Sequence, residues 1–115
     1  LKVDNCFKEF KFGVYMIKHI VMWKFADNAL GKTKEENMAH IRSSLMALLG
    51  VVPGLTRMEI GCDISHTDMS YDMVLITEFE SAEALEGYRV FPAHKEVQAY
   101  VKQVRTARVT VDCEI

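Results

Sequence analysis

The segment IKHIVMWKF, residues Ile17–Phe25, constrains the fold more than any other, because read as a strand it is apolar on both faces. In a pleated strand Ile20 and Met22 point one way and Val21, Trp23 and Phe25 the other. Such a strand must sit inside a sheet and be covered on both sides. YDMVLITEF, residues 71–79, has the same property, with Val74 and Ile76 opposed to Met73, Leu75 and Phe79. Two further segments alternate cleanly, as edge or half-covered strands do. In residues 55–62, Met58, Ile60 and Cys62 alternate with Arg57, Glu59 and Gly61; in residues 107–112, Val109 and Val111 alternate with Arg108, Thr110 and Asp112.

Helical periodicity separates these strands. After a loop over residues 26–31, Thr33 and Glu36 have capping-box spacing, and Met38, Ile41, Leu45, Leu48 and Leu49 recur at steps of three and four until Gly50. Pro53 and Gly54 turn the chain into the second strand. Ser81 caps a short helix through Leu85 and Tyr88. Pro92 then opens another with Val97, Tyr100, Val101 and Val104 on one face. The order is β-α-β-β-α-β: an α+β, ferredoxin-like arrangement with a four-stranded antiparallel sheet whose first and third strands are central. Helices on one side of such a sheet leave the other side bare. We expect the bare side to carry Val21, Trp23, Leu75 and Phe79, a patch larger than a monomer tolerates. At about 25 cal/mol per Å² its burial is worth several kcal/mol, which predicts a homodimer with the two sheets facing each other.

Residues 1–15 differ from the rest and read as an N-terminal appendage, in which Asp4 and Asn5 cap a short helix bearing Phe7 and Phe10 before Gly13 ends it. Met16 directly precedes the first strand and suits an initiator with an upstream extension. Residues 16–115 form the domain proper. The chain carries 14 Lys and Arg against 16 Asp and Glu, with no basic stripe, so nucleic acid is not an expected partner. Its apolar runs are far shorter than the roughly 20 residues that cross a bilayer, and no signal-type apolar region opens it. Cys6, Cys62 and Cys113 are odd in number and widely spaced, which encodes neither a disulfide framework nor a zinc site. The expectation is a soluble, cytoplasmic protein outside the membrane.

Several phrases, in this order, resemble the stress-responsive A/B barrel (Dabb) domain: IKHIVMWKF, the VPGL turn at residues 52–55 with EIG at 59–61, FESAEALEGY at 79–88, FPAH at 91–94 and VDCE at 111–114. The resemblance spans about residues 16–114. It implies a dimeric α+β barrel. It says less about activity, because the family includes plant stress-induced proteins, many uncharacterised bacterial proteins and a branch of polyketide cyclases.

Tyr88 and His94 are the strongest candidates for chemistry. With Pro92 opening the helix, His94 falls in its first turn, where the macrodipole disfavours imidazolium and keeps a neutral ring able to take a proton. The resemblance to the cyclase branch implies the same pair, with the histidine as general base for an aldol-type ring closure. At Met73, where that branch carries a histidine, this chain departs from the pattern. The alternative for His94 is bracing the inter-helix loop through a main-chain contact, with Tyr88 at the pocket rim. His19 shares a strand face with Val21 and Trp23 and therefore points into the same space, as a ligand-lining group or as a core histidine bonded to main chain. Arg108, Thr110 and Asp112 project toward that side and Arg105 ends the second helix. This cationic wall favours an anionic ligand or an Arg108–carboxylate pair across the dimer.

The candidate ligand-binding residues are thus His19, Val21, Trp23, Leu75 and Arg108. His40 with Glu36, and His66 with Asp63 and Asp68, do not amount to a metal site, and no phosphate-cradling loop or nucleophile elbow occurs, so neither metal nor cofactor is expected. Three functions are consistent with these residues. The first is a small-molecule-binding dimer with its pocket between sheet and helices. The second is a polyketide-cyclase-like lyase using Tyr88 and His94. The third is a non-catalytic, stress-related structural dimer whose cavity is packed shut by Trp23, Met73 and Phe79.

Overall fold

The computed structural model of the protein describes residues 16–115; the expected N-terminal appendage lies outside them. In chain order the elements are β1 (Ile17–Phe25), β2 (Asn28–Ala29), β3 (Lys32–Thr33), α1 (Lys34–Met46), β4 (Leu55–Cys62), β5 (Met73–Phe79), α2 (Ala82–Val90), α3 (Pro92–Val104) and β6 (Arg105–Glu114). Four of the strands form one antiparallel sheet in the order β4-β5-β1-β6, so the two strands that are apolar on both faces are central. The fold is ferredoxin-like.

Local chemistry sets the helix starts. Thr33 Oγ1 accepts from the Glu36 main-chain N–H while Glu36 Oε1 accepts from that of Thr33, the reciprocal cap that its spacing predicts. Ser81 Oγ accepts from the Ala84 N–H, and Pro92 occupies the first turn of α3. Gly54, at φ 81°, lies so close to α2 that an added Cβ would meet Ala84 Cβ at 2.5 Å. A side chain there would push α2 off the sheet.

Several boundaries differ from the sequence expectation. The α1 helix ends at Met46, and the chain continues in turns to Gly50. The expected loop over residues 26–31 contributes to the small hairpin β2/β3, pinned because buried Asn37 donates to the Ala29 carbonyl and accepts from the Tyr100 hydroxyl. Tyr100 is therefore an α1-to-α3 strut and only half-buried. The last strand runs from Arg105 to Glu114, longer than residues 107–112, because every residue of β1 has a partner on it.

The main correction concerns the faces of the sheet. Val21, Trp23, Leu75 and Phe79, expected to face a partner, instead form the core with Ile41, Leu45, Leu85, Val97 and Val101 from the helices. The open face carries the other row, Ile20, Met22, Val74 and Ile76, together with Val109 and Val111; Met22 and Val109 are 39 % exposed and Val111 53 %. Both rows are apolar at their centres, and the charged Lys18, Lys24 and Glu78 that flank the open row are what mark it as the one the helices leave bare. The packing argument for association survives with the rows exchanged. Among the described residues, no helix is long and apolar enough to cross a membrane.

Candidate functional site

A cavity of about 440 Å³ lies between the sheet and the helices, and all seven expected site residues line it: His19, Val21, Trp23, Leu75, Tyr88, His94 and Arg108. Antiparallel register explains the gathering. Opposite His19, Val21 and Trp23 on β1 stand Asp112, Thr110 and Arg108 on β6, so these side chains share one face of the sheet. The α2 helix lowers Tyr88 onto that face, and the first turn of α3 adds His94. Trp23 lines the cavity without filling it, while Met73 and Phe79 pack in the core outside it. The cavity is therefore not packed shut.

Tyr88 and His94 are stacked, not hydrogen-bonded, with ring centroids 3.8 Å apart and planes at 25°. Tyr88 is fully buried and not at a rim. Among the described residues its hydroxyl has no hydrogen-bond partner, nor has His94 Nδ1, nor Trp23 Nε1. Burial pushes the Tyr88 phenol well above its ordinary value, so it keeps its proton. Burial likewise lowers His94 to about 4, against an opposing pull from the main chain of Tyr88 and Arg89. The ring is neutral as expected, but desolvation dominates, not the position in the helix.

His19 is 5 % exposed, and its Nδ1 donates to Asp112 Oδ1, a side-chain partner in place of the expected main-chain one. Desolvation lowers its pKa, and Asp112 opposes that shift. The other oxygen of Asp112 accepts from Arg89 Nη2 at 2.6 Å, so β6 links β1 to α2 through one carboxylate. A protonated Nδ1 leaves Nε2 of the neutral His19 ring with a lone pair. The His19 ring also meets Tyr88 edge-on at 6.2 Å. Arg89 and the α3 residues Val97, Gln98 and Lys102 also line the cavity and escaped the sequence reading. The helical spacing of α3 could have found Val97, one turn after His94. Arg89 has no such signal, since its partner Asp112 lies across the sheet.

The groups considered for metal are engaged elsewhere. His40 packs against Tyr100 with ring centroids 4.2 Å apart and planes at 38°, and Asp63 accepts from the His66 main-chain N–H in a loop turn.

The arrangement places a buried, protonated hydroxyl and a neutral imidazole beside an apolar floor, with polar groups at the opening. The sequence is 26 % identical over 80 residues to the olivetolic acid cyclase of Cannabis sativa, covering 68 % of this chain and 75 % of that protein. Among solved structures, a dimeric ferredoxin-like protein of unknown function from Thermobifida fusca superposes with a TM-score of 0.77 at 19 % identity, covering 93 % of this chain and 97 % of that one. A hydroxynitrile lyase from Passiflora edulis superposes with a TM-score of 0.75 at 13 % identity, covering 90 % and 95 %. These likenesses establish the fold. The family model for the stress-responsive A/B barrel domain matches residues 17–115, and the chain belongs to that family.

Proposed function

We propose that the protein is a homodimer that binds a small organic molecule in the cavity between sheet and helices. One observation carries this reading: the Tyr88 hydroxyl, Trp23 Nε1 and His94 Nδ1 are buried around one cavity with no partner among the described residues. Each such orphan costs about 1–3 kcal/mol, and a ligand oxygen entering the cavity offsets that cost. Trp23 can only donate and the Tyr88 hydroxyl donates readily, so the missing partner is an acceptor such as a carbonyl oxygen. The apolar open face of the sheet, and the dimeric state of the similar Thermobifida fusca protein, support a second copy packed sheet to sheet. A cytoplasmic setting accords with the free thiols Cys62 and Cys113.

Trp23 is the single tryptophan of the chain and lines the cavity, so its emission reports occupancy. Titration with 4-butylbenzamide, a neutral carbonyl probe, is expected to change that emission saturably, and Val97→Phe, which fills the cavity, to abolish the change. No saturable response in the wild type contradicts the reading.

A second reading, lyase or cyclase chemistry, is favoured by the protonated Tyr88 beside the neutral His94. The hydroxyl would donate to a substrate carbonyl while His94 removes the adjacent C–H proton. The resulting enolate carbon would attack a second carbonyl to form the new C–C bond, and the alkoxide would take the proton back. The names of the cyclase and the lyase among the similar proteins agree with this chemistry. A ring at about 4 is a weak base, however, which places binding first. A folded, dimeric His94→Ala variant with unchanged turnover would remove His94 as the base.

A further inference from the structure

The side chains at the solvent end of the cavity go beyond the general binding reading, on which this inference rests. Arg89, Lys102, Arg105 and Arg108 line the cavity, and among the described residues no carboxylate does. They gather where the lining becomes solvent-accessible, while the floor of Val21, Trp23 and Leu75 is buried. Arg89 is already neutralised, by Asp112 at 2.6 Å and Glu86 at 3.2 Å. For Lys102, Arg105 and Arg108 no carboxylate stands within 4.0 Å among the described residues, so the cavity mouth carries three cations with no salt-bridge partner there, Asp112 supporting the Arg108 charge only from a greater distance.

The row that bears Arg108 faces the helices. Its neighbours on the opposite face of β6 are Val109 and Val111, the apolar row available to a second copy. A partner packed sheet to sheet is thus separated from Arg108 by the sheet itself, and an expected Arg108–carboxylate pair across the dimer has no direct route. Concavity excludes another occupant. The charges line a single cavity of about 440 Å³ and do not extend along the surface as a long stripe, so they fit one small anion and not a polyanionic backbone.

We infer that the cavity selects an organic carboxylate, held at its mouth by the Arg108 guanidinium with Arg105 and Lys102 beside it, its apolar body directed onto Trp23, Val21 and Leu75. A guanidinium presents a planar pair of donors that matches a carboxylate edge, and such charge-assisted bonds are about twice as strong as neutral ones. Arg108 lines the same cavity as Tyr88, His94 and His19, and its charge acts on all three. Desolvation and the neighbouring Arg105 both disfavour the Arg108 charge, a cost that a bound anion offsets.

The test compares 4-butylbenzoate with 4-butylbenzamide, probes of the same shape that differ in charge, by Trp23 emission and by calorimetry. In the wild type the benzoate is expected to bind at least about 10-fold tighter, and the preference to shrink as sodium chloride rises from about 0.05 to about 0.5 M. Arg108→Gln should bring the two affinities within about threefold of each other. If that variant does not fold, Arg105→Gln should reduce the ratio by about threefold. Equal wild-type affinities for the two probes overturn this inference and leave the cavity reading standing. Failure of both probes to bind overturns the cavity reading and this inference with it. A preference that survives both substitutions overturns the assignment to these arginines.

Discussion

The two faces of one sheet pose opposite problems. On the helix-covered face the apolar groups are satisfied and three polar atoms are not: Phe79 and Leu75 are buried in a shared core, while Tyr88, His94 and Trp23 each leave a polar atom without a partner among the described residues. On the open face the polar groups are paired, as where Lys18 Nζ meets Glu78 Oε2 at 3.9 Å, and the apolar row of Met22, Val109 and Val111 meets water. One face lacks hydrogen-bond partners and the other lacks cover. In the proposed reading a ligand would supply the first and a second copy the second, which would assign binding and association to opposite sides of the same four strands.

Truncation in the core sharpens the contrast most. Phe79→Ala should cost about 4 kcal/mol in denaturant unfolding, independent of protein concentration, because Phe79 is fully buried within one chain. A clear concentration dependence of that loss would mean that the helix face is itself an interface.

Between pH 6.5 and 4 acid should act chiefly through the helix face, the Glu36 and Asp63 carboxyls adding a loss at lower pH. Unfolded His94 titrates near 6.5 and the folded residue at about 4, so between these values the unfolded chain holds the extra proton. Stability is then complete above pH 6.5 and falls toward pH 4, by up to about 3 kcal/mol. His19 adds a loss of the same sign. Unfolding curves across this range should flatten in part for His94→Gln. An unchanged slope would show that His94 does not carry the effect.

A charge on the open face should break association and spare the fold. Ile76→Asp is expected to raise the dimer dissociation constant at least about 100-fold, close to 3 kcal/mol, as read by sedimentation, with the circular dichroism of the monomer retained. Full dimer retention would place the interface elsewhere.

The smallest effect is the most specific. Tyr88→Phe removes a buried hydroxyl that has no partner, so the ligand-free protein should gain about 1 kcal/mol while its affinity for 4-butylbenzamide falls. A stability loss would mean that the hydroxyl is already satisfied.

Legibility followed the range of each interaction. The Thr33–Glu36 cap, the Ser81 cap and the Pro92 start were readable because their partners lie within three residues or their backbone needs are local. The order of the central strands was readable because IKHIVMWKF and YDMVLITEF are apolar on both faces. The same property hid which face the helices choose, since Ile20 and Met22 against Val21 and Trp23 is a choice between two apolar rows. The flanking charges of Lys18, Lys24 and Glu78 and the edge strand held the answer. Arg108, Thr110 and Asp112 share a face with Trp23, Val21 and His19, and this polar row suits the mouth of a cavity, not a dry sheet-to-sheet interface. The Arg89–Asp112–His19 chain was out of reach, because its members are separated by 23 and 93 residues and meet only through strand register. The Tyr88–His94 pair was readable as a pair, but stacked rings at 3.8 Å, with both polar atoms left open, are a fact of packing.

A native mass spectrum of gently purified protein tests the two-sided account most directly, because it reads association and occupancy together. The account predicts a dimer that takes up one 4-butylbenzamide per chain and loses that uptake in Val97→Phe without losing its partner. A monomer, or a dimer that accepts no probe, would contradict it.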